Sequence, residues 1–149
     1  MSVEDFFSKV DGTLNKAAET KAASQDAAAQ NREFLEAVIA RLSPLATAYK
    51  AKLRERGIHT ELDSYPTGIN FTMRYNDGGH HGLRIGCTLE RNRIEITSSF
   101  TSDDGKNYTS TDGASYDSTN WNDNIFESKL QKCIEDFLFY AERHGGAKT

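Results

Sequence analysis

The chain has 149 residues, 27% of them charged and 37% hydrophobic, with a net charge of −4. That length suits one domain whose core needs neither disulfides nor metals, and the acidic balance speaks against general nucleic-acid affinity. No apolar stretch approaches membrane-spanning length, and Glu4 and Asp5 stand where a signal peptide would carry basic residues, so the expectation is a cytoplasmic protein with no membrane partner.

The first thirty residues differ in kind from the rest. Ser2 and Asp5 have the spacing of a capping box for a short helix that shows Val3, Phe6, Phe7, Val10 and Leu14 on one side, with Gly12 weakening its end. Residues 16–30 follow as three five-residue units, KAAET, KAASQ and DAAAQ. A period of five matches neither 3.5 nor 3.6, so the alanines wander around the helix and no stripe forms. Ala has the best helix propensity but offers little area to bury, which is the composition of a semi-rigid spacer. Residues 1–30 are therefore read as an Ala-rich helical arm and residues 31–149 as a single α+β domain. The arm is either an exposed extension of the next helix or a device that swaps onto a second subunit, a homodimer route with Phe6 and Phe7 as anchors.

A second apolar stripe runs through Phe34, Leu35, Val38, Ile39, Leu42, Leu45, Tyr49 and Leu53 and closes at Gly57. Pro44 removes an amide donor and disfavours helical geometry at Ser43, which predicts a kink or a restart there. Residues 58–62 offer a short edge strand ahead of a turn at Tyr65-Pro66-Thr67-Gly68.

The segment Ile69 to Ser110 alternates with period two, the signature of half-buried strands. Ile69, Phe71, Met73 and Tyr75 occupy odd positions, as do Leu83, Ile85, Cys87 and Leu89. A loop with an odd number of residues must join them, and Asp77-Gly78-Gly79 predicts Met73 opposite Leu83 and Phe71 opposite Ile85. Ile94, Ile96, Ser98 and Phe100 are even-numbered, so an even loop is required, and Arg91-Asn92 would set Leu89 against Ile94 and Glu90 against Arg93. Asp103-Asp104-Gly105 then returns the chain, pairing Phe100 with Tyr108 and Ser98 with Ser110. All three turns put the large apolar residues on one face, and a one-residue slip would turn a strand inside out. Finally, Asp123 is a candidate cap for a helix carrying Phe126, Leu130, Ile134, Phe137, Leu138 and Ala141, with a stop near His144-Gly145-Gly146. The fold class expected is α+β: a four- to five-stranded antiparallel β-meander covered on one face by an N-terminal and a C-terminal helix, with the helical arm outside it.

Chemistry-bearing motifs are absent: no phosphate-cradling glycine loop, zinc spacing, nucleophile elbow or paired helical carboxylates. Cys87 and Cys133 read as small buried hydrophobes. His80 and His81 point to opposite faces and cannot easily grip one metal, with His81 on the core side opposite Tyr75. His144 suits the C-terminal end of the last helix and needs no other role. No cofactor or metal is expected. The acidity lies in residues 58–126, which sum to −5, but Asp103, Asp104, Asp112 and Asp117 lack calcium-loop spacing. The polar sheet face carries Arg74 and Arg84 among hydroxyls, with Thr72, Arg84, Ser99 and Thr109 expected in one cross-strand row. In the loop that follows, Tyr116 and Trp121 either anchor a partner or fold back over the core end.

The leading expectation is a non-enzymatic protein-binding module, of the inhibitor, adaptor, immunity or chaperone-like kind. Its partner-facing residues would be Phe6, Phe7, Arg74, Arg84, Tyr116 and Trp121. One alternative is a small enzyme or ligand-binding protein with a pocket between sheet and helices that uses Tyr75, His81 or Tyr108. The other is a structural subunit that oligomerises through the arm.

Overall fold

The computed structural model describes residues 2–149. Helix α1 (Val3–Glu55) leads into strands β1 (Thr60–Tyr65), β2 (Gly68–Arg74), β3 (His80–Cys87), β4 (Ile94–Thr101) and β5 (Asn107–Thr111), and helix α2 (Asp123–Phe139) follows. The strands form one open antiparallel sheet in sequence order. Both helices lie on the same face, α1 over β1 and β2 and α2 over β3. The fold is the α+β meander that the alternation predicts.

Helix α1 is longer than the separate pieces expected from its sequence. The capping box forms, with Asp5 N donating to Ser2 Oγ at 3.1 Å and Ser2 N to the Asp5 carboxylate. The helix then runs 53 residues, about 80 Å at ~1.5 Å per residue, without stopping at Gly12 or restarting at Pro44. One interior glycine costs only about 1 kcal/mol, which the capping box and the Ala-rich run from Lys16 onward offset. Pro44 keeps its ring on the exposed side while Leu42 and Ala46 are anchored in the core. The Ser43 hydroxyl donates to Ile39 O at 2.9 Å beside it. Gly57, at φ 78°, supplies the left-handed residue that ends the helix.

The sheet keeps its faces but not its full register. β4 and β5 pair as expected, with Phe100 opposite Tyr108 and Ser98 opposite Ser110. β2 and β3 are displaced by two residues: Phe71 opposes Leu83, and Met73 opposes His81. The cause is capture of the hairpin end. Tyr75 turns into the core and its hydroxyl donates to Phe137 O at 2.8 Å, while Asn76 bonds Gly145 and Gly146 in the C-terminal segment. The ladder therefore closes at Arg74–His80, two residues early. β3 and β4 are also displaced by two, with Cys87 opposite Ile94, because Thr88 to Arg93 leave the sheet as a loop. Glu90 and Asn92 take positive φ there, and the loop is held to α1 by Asn31 on Arg91 O and Asn92 on Ala28 O. Leu89, expected in the core, is consequently 92% exposed, and Cys87 is exposed at the sheet end. A shift of two preserves side-chain parity, so Ile69, Phe71, Leu83, Ile85, Ile94 and Ile96 all remain buried on one face.

β1 extends to Tyr65 and pairs along β2 through the turn at Pro66-Thr67. In α2 the cap is Asn122, whose side chain accepts from Asn124 N, and Asp123 is the first helical residue. Phe126, Leu130, Cys133 and Phe137 are its buried stripe. Polar contacts stitch the two helices: Arg41 grips Asp123 with two 2.9 Å bonds, and Tyr49 donates to Glu127 and accepts from Gln131. Among the described residues no helix is long and apolar enough to cross a membrane.

The register makes a direct prediction. Phe71→Ala removes a fully buried ring and should cost about 3–5 kcal/mol in chemical denaturation. Leu89→Ala should stay within about 0.5 kcal/mol. Comparable losses at the two sites would contradict the displaced β3–β4 pairing.

Candidate functional site

The residues singled out by sequence fall in four places. Phe6 and Phe7 lie near the tip of α1, edge to face with ring centroids 5.3 Å apart, and are 50% and 55% exposed. Val3 and Leu14 are more exposed still, and Val10 is half-buried beside them. From Val3 to Ala27 the helix makes no side-chain hydrogen bond to the rest of the described residues; the first such links are at Ala28 and Asn31. The arm thus projects about 37 Å beyond the domain at ~1.5 Å per residue.

Arg74 and Arg84 lie on the uncovered sheet face, in different rows. Arg74 is paired with Glu61 at 2.7 Å. Because of the displaced register, Arg84 lies between Asn70 and Thr97, and Thr72 lies between Glu61 and Gly82; the expected Thr72–Arg84 row does not form. Arg84 makes no ion pair within the described residues, and Gly82 and Gly86 flank it on the same face. The hollow around it holds acids as well as bases, Glu61 and Asp63 among them.

Tyr116 and Trp121 fold back. Tyr116 forms a β-bridge with Ile94 and donates to Asp112, and the Trp121 indole N–H donates to Asp123 at 2.7 Å. Both pack on the edge of the core, edge to face at 5.5 Å. The loop is pinned by Arg93, which bonds Asp117 at 2.6 Å and Ser115 twice. Bonds from Thr119, with Arg93 adding its charge, hold the Asp117 carboxyl down at about 2. Asp112 is held at about 2 by Lys129 first.

The fourth place is an aromatic cluster at the end of β2 and β3. Tyr75 is buried, its phenol pushed up by burial, and its ring stacks on Phe137 at 4.5 Å and on His144 at 4.4 Å. His144 is also buried and sets Nδ1 2.8 Å from Asp77 Oδ2, while the other Asp77 oxygen accepts from Gly79 N. This contact corrects the expectation that His144 has no role beyond the helix end. It follows from the Tyr140–His144 turn folding back on the β2–β3 hairpin, a long-range closure that periodicity does not signal. His81 is 7% exposed and stacks on both Phe100 and Tyr140. Tyr108 stacks on the outer side of Phe100, donates to Asp104 and stays 43% exposed. Between these rings opens a cleft of about 350 Å³ into which His81, Tyr140 and His144 face, with Arg143 and Asp103 at its rim. Tyr75 lies behind His144 and Tyr108 lies outside the cleft, so of the three pocket residues read from sequence only His81 lines it.

Within the described residues no three His, Cys, Asp or Glu side chains converge to hold a metal. Cys133 is buried, and burial pushes its thiol up to about 12, which suits packing and not nucleophilic chemistry.

Burial lowers the pKa of His81, and burial followed by the Arg74 charge lowers that of His80. Below about pH 6.5 an unfolded chain protonates its histidines while these two resist, so the unfolded state binds more protons and stability falls as pH drops. In denaturation across pH 7 to 5, His81→Phe should make that decline shallower. An unchanged slope would show that His81 is not held neutral by the fold.

In comparison with known proteins, the chain matches no family model, no curated protein and no solved structure.

Proposed function

We propose that the chain is a non-enzymatic protein-binding module that engages its partner through the apolar tip of α1. The observation that carries this reading is the exposure of Val3, Phe6, Phe7 and Leu14 together on a helix segment that covers nothing in its own domain. Large apolar side chains grouped on a solvent-surrounded segment mark an interaction surface. The capping box fixes where the helix ends, and the alanine spacer holds the tip away from the domain without burying area there. A second copy of the chain and a different protein are the two candidate occupants, and mass measurement separates them.

Tyr116 and Trp121 have their polar atoms bonded internally, which weighs against the aromatic loop as the primary contact. The Arg84 face is uncovered but mixed in charge, which makes it a secondary surface.

The test is light scattering after size exclusion, run beside affinity capture, with the intact chain and with Phe6→Asp/Phe7→Asp. Each phenyl ring buried on docking contributes about 1.5–3 kcal/mol. The double variant should therefore lose self-association or capture by at least about 100-fold while keeping its helical circular dichroism. Retention of the same assembly by the double variant would overturn the reading.

A further inference from the structure

The cleft beside His81 has the construction of a ligand site, independent of the arm. Its volume of about 350 Å³ lies within the range of small-molecule pockets, ~300–1,000 Å³. Its floor is a histidine more than nine-tenths buried whose ring nitrogens have no hydrogen-bond partner among the described residues. Since no fully buried polar side-chain atom is left unpartnered among the described residues, those nitrogens keep some exposure, and His81 lines this cleft. Burial keeps the imidazole neutral at physiological pH, so it presents a lone pair to a donor. His144 adds a second imidazole whose Nδ1 is engaged by Asp77.

The charges around this floor favour one sign of ligand. Asp136 and Asp103 contribute carboxylates to the lining, and Phe100 and Tyr140 contribute π faces. The cations nearby belong to the chain itself: Lys132, its side chain 71% exposed, pairs with Asp136 at 2.7 Å, and Arg143 lines the cleft. Arg143 places its guanidinium 5.2 Å above the Tyr140 ring and 3.1 Å from Asp103, and both members of that ion pair are more than half exposed. A planar cation on an aromatic face, closed by a carboxylate, is the arrangement that recognises guanidinium and amidinium groups. Exposed pairs of this kind contribute only about 0–1 kcal/mol, so the arginine is readily exchanged.

We infer that this cleft binds a planar organic cation, with Arg143 occupying the mouth in the free chain. The incoming cation takes the place of Arg143 over Tyr140 and against Asp103, and its inner N–H groups reach His81 and Asp136. An anion of the same shape meets two carboxylates, and the one guanidinium at the mouth is already paired with Asp103.

The test uses benzamidine as the probe and benzoate as its opposite-charge control, followed by calorimetry and by side-chain NMR of the histidines in the full chain. Benzamidine should bind and shift the His81 ring signals, and benzoate should do neither. Asp136→Asn should weaken benzamidine at least about tenfold, the loss of a charge-assisted hydrogen bond. Arg143→Ala should tighten it by about 2- to 5-fold by removing the competing pair. The inference is overturned by benzoate binding as well as benzamidine, by benzamidine binding that neither variant changes, or by no binding to either the intact chain or Arg143→Ala. Far-ultraviolet circular dichroism of each variant keeps a folding defect from passing as a lost site.

Discussion

The structure depends on how one apolar sheet face is covered. Strands β2, β3 and β4 present Ile69, Phe71, Met73, Leu83, Ile85, Ile94 and Ile96 to the same side, and leaving that area in water would cost far more than the marginal stability of a domain this size. Two helices supply the cover, one from each end of the chain. Only the second half of α1 takes part, through Leu35, Val38, Ile39, Leu42, Ala46 and Leu53. Its first half is continuous with it and is thereby aimed into solvent. Because α2 lies over β3, β5 is left exposed along its whole length, and the cleft opens beside α2. Arm and cleft are thus consequences of the same packing solution.

Tyr75 shows how the chain ends lock this arrangement. Its ring is stacked by Phe137 of α2 and by His144 of the closing turn, and its hydroxyl is spent on Phe137 O. Around it the C-terminal residues form a short antiparallel addition: Ala147 bridges Tyr75, Lys148 N donates to Arg74 O, and His59 N donates to Lys148 O. The last residues therefore tie the end of β2 to the entry of β1. This closure sets the position of the Tyr140–His144 turn and, through it, Arg143 over the cleft.

Parity made the sheet legible. Alternation identified the strands and their buried faces, and the β4–β5 turn, which is closed by its own residues, came out in the correct register. The other two hairpins slipped by two residues because their ends are claimed from a distance, Tyr75 and Asn76 by the C-terminal segment and Arg91 and Asn92 by α1. Nothing local marks such contacts. Leu89 illustrates the failure: its spacing fits the strand, but the strand has already stopped at Cys87. The continuity of α1 was hidden for a different reason, since Gly12 and Pro44 are strong local breakers that long flanking helix and tertiary anchoring outweigh. Phe6, Phe7 and His81 were legible as exposed or core-facing positions. The pairing of His144 with Asp77, 67 residues away, was not.

The central claim is that α1 is one uninterrupted run of helix, half in the core and half outside. Pulsed dipolar spectroscopy between spin labels at Ser8→Cys and Ala40→Cys, both exposed positions, in a Cys87→Ser background tests it most directly. Thirty-two residues of uninterrupted helix separate those sites, which predicts a narrow distribution centred near ~48 Å. A distribution that is broad, or centred well below that distance, would mean that the arm bends or folds back on the domain, and would contradict the account.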